Sequence, residues 1–253
     1  MSNTFSLDMD RHNQEIHANR EAWRKKPPLR RAYNDLYHAI RREMDPSVDG
    51  MVVEVGFGMG NIKEVIPDCI TSDLFSNPWL DRMENIYNLS LPAASVGHLI
   101  LFDVWHHLEY PANALREAER VLVPGGKLIL MEPSMSLMGR IIYGNCHHEP
   151  LGFDLRISNL VAEMNSPNLN RYFAAQSSAH RIFIDRELPE LLKGWRIDLV
   201  KQITSFAYLG SGGFSGPRLY PDRAYPLIAA FERLLGNFPS IFSARMLVVL
   251  SKE

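Results

Sequence analysis

Short runs of apolar, β-branched residues alternate with amphipathic stretches along the middle of this chain. Such alternation predicts a mostly parallel sheet with helices on its faces. Met51 to Val55 reads as a strand, Cys69 to Ser72 as a second ending at Asp73, and Arg82 to Ile86 as a weak third. Gly97 to Asp103 reads as a buried strand and Lys127 to Met131 as a fifth. Between these, Asn61 to Val65 is a brief helix stopped by Pro67. Pro111 to Val121 is an amphipathic helix, and "VPGG" is the turn that follows it.

Residues 10 to 44 precede the alternation. They are charged and helix-forming, with a break at Pro27-Pro28 and one face carrying Leu29, Tyr33, Leu36, Tyr37 and Ile40. Residues 134 to 192 interrupt the alternation and read as an inserted lid. It resumes with a strand from Trp195 to Thr204, a helix from Tyr225 to Leu235 and a last strand from Met246 to Leu250. The helix carrying Leu227, Phe231, Leu234 and Leu235 is expected to pack on the sheet, with contact to a membrane surface as the other reading. The expectation is an α/β fold in one domain over 1–253: a helical cap (10–44), a ligand-binding half (51–133), a lid (134–192) and C-terminal strands with a helix (193–253).

Composition narrows the class. The chain has 253 residues, is 46% apolar and 22% charged, and has a formal net charge of −2, which disfavours a general nucleic-acid binder. Its two cysteines, Cys69 and Cys146, lie too far apart to suggest a disulfide framework or a cysteine zinc site. No run is long enough to cross a bilayer, and the N-terminus lacks the apolar core of a signal peptide. A cytoplasmic enzyme is expected.

The chemistry centres on "MVVEVGFGMGNIKEV", in which Gly56, Gly58 and Gly60 follow a strand. No phosphate-cradling G-x-x-x-x-G-K-[ST] run exists, and the G-x-G-x-G spacing departs from the dinucleotide G-x-G-x-x-G. S-adenosylmethionine is the third option. A glycine turn can fold around its methionine end, and Glu54 can favour its positive charges. Asp73 is then placed to accept from both ribose hydroxyls, Asn85 to meet the adenine edge, and Asp103 with His106 and His107 to stand near the sulfonium methyl.

These segments, "VVEVGFGMGN", "TSDL" and "LILFDVWHHLEYPANALREAERVLVPGGKLILMEP", together resemble a class I S-adenosylmethionine-dependent methyltransferase of the group called type 11. The resemblance is strongest over about residues 51 to 133. It implies a doubly wound, mostly parallel, seven-stranded Rossmann-like sheet whose last strand is antiparallel. It implies S-adenosyl-L-methionine as cofactor and S-adenosyl-L-homocysteine as product. The short interval between Gly60 and Asp73 requires a stubby first helix. The adenine position, commonly Asp, is Asn85 here. Tyr33 on the helical cap is expected to close over the cofactor.

Methyl transfer is an in-line displacement, and an alcohol acceptor needs a base. Candidates are His106 and His107 after the fourth strand, and His147 and His148 in "NCHHEP". The adjacent histidines and Glu149 could also hold a divalent ion, but they lack a helical ligand spacing, so no metal is expected. The basic residues Arg20, Arg24, Lys25, Lys26, Arg30 and Arg31 are a solvated helix end or a clamp for an anionic acceptor. The expected acceptor is a small or medium organic molecule offering oxygen. The alternatives are a nucleic-acid methyltransferase and a non-catalytic cofactor-binding domain. Against the first, "FDVW" stands where base amino-methylating enzymes carry Asp/Asn-Pro-Pro-aromatic.

Overall fold

A computed structural model describes residues 9–56, 58–146, 149–158 and 173–252. Seven strands form one sheet: β1 (Met51–Val55), β2 (Ile70–Asp73), β3 (Arg82–Met83), β4 (Val96–Phe102), β5 (Leu122–Pro133), β6 (Trp195–Thr204) and β7 (Ser243–Lys252). Their order is β3-β2-β1-β4-β5-β7-β6. The first five run parallel, and β7 is antiparallel to both neighbours. This is the doubly wound sheet expected from the sequence.

Strand β4 lies in the middle and is buried at every position, which is why its sequence is apolar on both faces. Alternate residues serve opposite sides. Leu99 and Leu101 join a core with Val53, Val55, Leu128, Leu130 and Val248. Ile100 and Phe102 join a second core with Ile129, Met131, Leu247 and Val249. Helix α3 (Pro111–Val121) closes the first core with Ala114, Leu115 and Ala118. Helices α1 (Met9–Lys25) and α2 (Pro27–Glu43) cover the second. Pro27 and Pro28 occupy the first turn of α2, where a missing amide proton costs nothing. Leu29, Tyr33, Leu36, Tyr37 and Ile40 are its buried face, as their spacing predicts.

The structure differs from the sequence reading in four places before β6. Residues 61–64 form only a single 3-10 turn. The third strand is two residues long. "VPGG" lies inside β5, at a register shift in the β4–β5 ladder, where Gly125 takes φ +76°. The fourth difference concerns residues 134–192. Helix α4 (Leu137–Cys146) is in this segment, but so is α5 (Ser178–Phe183), which is buried throughout. Its Phe183 packs 5.4 Å from Trp105, so this part is core rather than lid.

Past β6 come the short α6 (Phe206–Gly210), α7 (Tyr225–Leu235) and α8 (Pro239–Phe242). The expected packing of α7 on the sheet is not found for its apolar stripe. Leu227, Phe231 and Leu234 are exposed, while Tyr225 faces inward and donates to Asp35 at 2.6 Å. Among the described residues, no helix is long and apolar enough to cross a membrane.

Candidate active site

The carboxyl ends of β1, β2, β4 and β5 carry the polar residues of interest. Such ends form the crevice of an open α/β sheet. Strand β1 ends at Val55, and the chain turns through three left-handed glycines, Gly56, Gly58 and Gly60 (φ +98°, +72° and +66°). A Cβ on Gly58 would lie 2.8 Å from Asp73 Oδ2 and would collide with Ile16 of α1. A Cβ on Gly56 would collide with Val104 after β4. The glycine loop thus touches both the β2 carboxylate and the β4 exit. The Asn77 side-chain amide holds the Gly58 carbonyl at 2.9 Å, and Arg20 holds the Met59 carbonyl at 3.0 Å.

Two carboxylates flank this loop on neighbouring strands. Asp73 is buried, and its Oδ1 accepts from the Leu74 amide at 2.6 Å. Glu54 is 1% exposed, and its Oε1 has no hydrogen-bond partner among the described residues. Burial, then the charge of Asp73, pushes the Glu54 carboxyl up to about 8. A buried, unpartnered carboxyl beside a second acid is a site that attracts a cationic group.

Asp103 follows β4 with φ +56°, a conformation few non-glycine residues adopt. It is ion-paired with the buried Arg245 of β7. The next residues, Trp105–His107, form a 3-10 turn organised by one side chain. Glu132, at the end of β5, accepts from the amides of Val104 (2.8 Å) and Trp105 (2.7 Å) and pairs with His106 Nδ1 at 2.7 Å. His106 Nε2 stands 3.5 Å from Glu149 Oε2, and His107 Nε2 stands 3.7 Å from Glu149 Oε1. The His107 Nδ1 is 3.0 Å from the Phe173 carbonyl, which can only accept, so Nδ1 carries the proton. Burial alone would lower the His106 imidazole, but Glu132 and then Glu149 outweigh it and raise it to about 10. His107 is lowered to about 4 by burial and by the charge of His106. Glu132 and Glu149 thus make the position of His106 one that favours a positive charge, and its neighbour is neutral with Nε2 toward Glu149.

Residues 71–130 match the model of the family described as Methyltransferase domain (Methyltransf_11). The match runs from β2 into β5, and this part of the chain is similar to a methyltransferase domain. Two solved structures illustrate the shared fold. One is an S-adenosylmethionine-dependent methyltransferase, possible histamine N-methyltransferase, from Thermotoga maritima (15% identity, 96% of each chain covered, TM-score 0.51). The other is the geranyl diphosphate C-methyltransferase of Streptomyces coelicolor A3(2), with 10% identity, 87% and 78% of the two chains covered, and a TM-score of 0.50. No curated protein matches the chain.

Of the residues singled out in the sequence, Gly58 lies against Asp73, Glu54 feels the charge of Asp73, and Gly56 lies against Val104, which stands between Asp103 and the His106–His107 turn. Asn85 lies farther along the edge. Its Oδ1 accepts from the Tyr87 amide at 2.9 Å, so a local turn already uses the carbonyl assigned to adenine. Tyr33 lies in the core under α2. It is 1% exposed, stacked on Phe102 at 5.3 Å and edge-on to Trp23 and Tyr208. The residue over Gly58 is Ile16. His147 and His148 lie outside the described residues, whereas Glu149 beside them reaches the first histidine pair. Glu132 and Arg245 were not identified as site residues from the sequence. The "EP" closing a buried strand was the available signal for Glu132.

The basic cluster is engaged within the protein. Arg20 lies over Trp79 at 4.3 Å, Lys25 pairs with Glu21, and Lys26 donates to the Gly213 and Gly216 carbonyls. Arg30 pairs with Glu64 and Arg31 with Asp222. These contacts stitch α1 and α2 to the loops of the cleft. Gly58→Ala is expected to weaken cofactor binding by 10-fold or more and to lower stability by about 1–3 kcal/mol, from left-handed strain plus the clash with Ile16 and Asp73. Calorimetry and thermal melting check both.

Proposed function

We propose that this protein transfers a methyl group to an oxygen of a small or medium organic acceptor. The observation that carries the reading is the convergence of His106, His107 and Glu149 just beyond Asp103, at the exit of β4. S-adenosylmethionine supplies the methyl group, on a positively charged sulfur. The protein's residues fit that cofactor, because Glu54 is a buried acid lacking a partner and Gly58 leaves main chain open beside Asp73. Glu54 would face the methionine ammonium, Asp73 the ribose hydroxyls, and Asp103 the side nearest the sulfur. Helix α1 would close over the loop through Ile16, keeping water out.

The acceptor hydroxyl would lie against the His106–His107–Glu149 cluster, where its proton is taken up or its ionised form held. Glu132 fixes the orientation of His106, and the Phe173 carbonyl that of His107. An acceptor that ionises readily, such as a phenol, needs less of this help than an alcohol does.

The test is a product assay with a panel of hydroxylated acceptors and labelled cofactor. Asp73→Ala is expected to raise the cofactor Kd by 10- to 100-fold, roughly the loss of charge-assisted bonds to both ribose hydroxyls. His107→Ala is expected to leave that Kd within 3-fold and to lower kcat by 10- to 1000-fold. Full activity of His107→Ala on every acceptor would remove the cluster from the reaction.

A further inference from the structure

The same three side chains have the donor set and spacing of a metal centre. We propose that His106 Nε2, His107 Nε2 and a carboxylate oxygen of Glu149 bind one divalent first-row transition-metal ion that engages the acceptor oxygen. The proposal rests on the reading above, which places the acceptor at this cluster.

Three observations carry it. First, the three donor atoms lie within 4.8 Å of one another, and both nitrogens face one carboxylate. The gaps of 3.5 and 3.7 Å are longer than a good hydrogen bond. Ligands about 2.0–2.1 Å from a common ion lie about 3–3.4 Å apart from octahedral to tetrahedral geometry, so these gaps are near a coordination edge. Second, both imidazoles are oriented from behind. His106 Nδ1 is bound to the Glu132 carboxylate at 2.7 Å, and His107 Nδ1 lies 3.0 Å from the Phe173 carbonyl. Such outer partners set the tautomer that points Nε2 at a metal. Third, Glu149 is itself held, accepting from the Gln176 side-chain amide. The backbone also fixes the surrounding segment, because the Ala175 amide donates to the His106 carbonyl at 2.9 Å.

A second grouping, Asp103 with His106 and Glu132, fits an ion less well. Asp103 is bound to Arg245, and the short Glu132–His106 contact leaves no room between its partners. Two nitrogens and one oxygen suit zinc, iron(II), cobalt(II) or manganese(II) and leave positions open. At those positions the acceptor's hydroxyl oxygen would bind and its proton would pass to solvent. The bond then formed is acceptor O–CH3, the bond broken is the sulfonium C–S bond, and S-adenosylhomocysteine leaves.

Titration of chelator-stripped protein with cobalt(II) and zinc(II), in the absence of cofactor and acceptor, tests the site. One equivalent is expected to bind, cobalt(II) giving visible absorption from nitrogen-containing coordination. His107→Ala and Glu149→Gln are expected to weaken binding by 100-fold or more, and Glu132→Gln by 10- to 100-fold. Circular dichroism of each variant separates lost folding from lost ligation, and Asp73→Ala, away from the cluster, is expected to keep the metal affinity. Absence of stoichiometric binding, or affinity unchanged in folded His107→Ala and Glu149→Gln, overturns the proposal. If methylation proceeds fully in chelator while His107→Ala stops it, the metal is refuted and the acceptor reading stands. If metal binds but no hydroxylated acceptor is methylated, the metal's proposed engagement with the acceptor falls together with that reading.

Discussion

Glu54→Gln should stabilise the cofactor-free protein while weakening its hold on S-adenosylmethionine by 10- to 100-fold. The two effects share one cause. Glu54 is buried beside Asp73 with Oε1 unpartnered, and its carboxyl is raised from the usual 4.5 to about 8. Between those values the folded chain binds more protons than the unfolded one, so stability falls as pH rises from about 4.5 to about 8. At pH 7 the penalty is on the order of 3 kcal/mol, and a neutral Gln removes most of it. Denaturant unfolding at several pH values should therefore show the wild type losing stability over that window and the variant flatter. A cation beside the carboxylate reverses the balance. Cofactor binding should release a proton below pH 8, which calorimetry in buffers of different ionisation enthalpy measures. A variant with wild-type affinity and an unaltered pH profile would mean that Glu54 faces no positive group.

This conflict between stability and binding was visible in part before the structure. An acid directly before a glycine turn, on a strand otherwise made of apolar residues, is a local contradiction in the sequence, and such contradictions gather at functional sites. The sheet was legible for a similar reason. Strand β4 has no face to spare for solvent, so every residue of "VGHLILF" is buried and the run stands out. Helix α2 was legible because Pro27 and Pro28 mark its start and one stripe faces the sheet.

Other features depend on which surfaces meet in three dimensions. Tyr33 lies on the apolar stripe of α2, but spacing does not show that it stacks on Phe102 of β4. Helix α7 has an equally clear stripe, yet Leu227 and Phe231 are left exposed. The two glycines of "VPGG" signal a turn, and the chain uses them for a bulge within β5. The histidine cluster draws on three separate segments. His106 and His107 follow β4, Glu132 ends β5, and Glu149 arrives from beyond α4. No short motif holds these together, so the absence of a helical ligand spacing around His147 and His148 carried little information about a metal.

Asp103→Asn should be the most destabilising single polar substitution near the cleft, at about 3–5 kcal/mol. Asp103 faces Arg245, whose side chain is 3% exposed and lies 4.9 Å from the Tyr208 ring centroid. Removing the carboxylate leaves a guanidinium in an apolar site without its counter-charge, and such losses cost that much. The choice of Asn matters, because Asp103 has φ +56°, and Asn is among the few residues that tolerate this region. The substitution therefore tests charge rather than backbone strain. For a domain of this size the melting temperature should fall by about 10 °C or more. Replacing both partners, as Asp103→Asn with Arg245→Met, should recover much of the loss, because no buried charge is then left alone. A double-mutant cycle measured by thermal and denaturant unfolding gives the coupling. If Asp103→Asn melts like the wild type, the ion pair contributes nothing. The left-handed Asp103 would then be held by its surroundings alone: the hydrogen bond from the Asp103 amide to the Met131 carbonyl and the turn that Glu132 organises behind it.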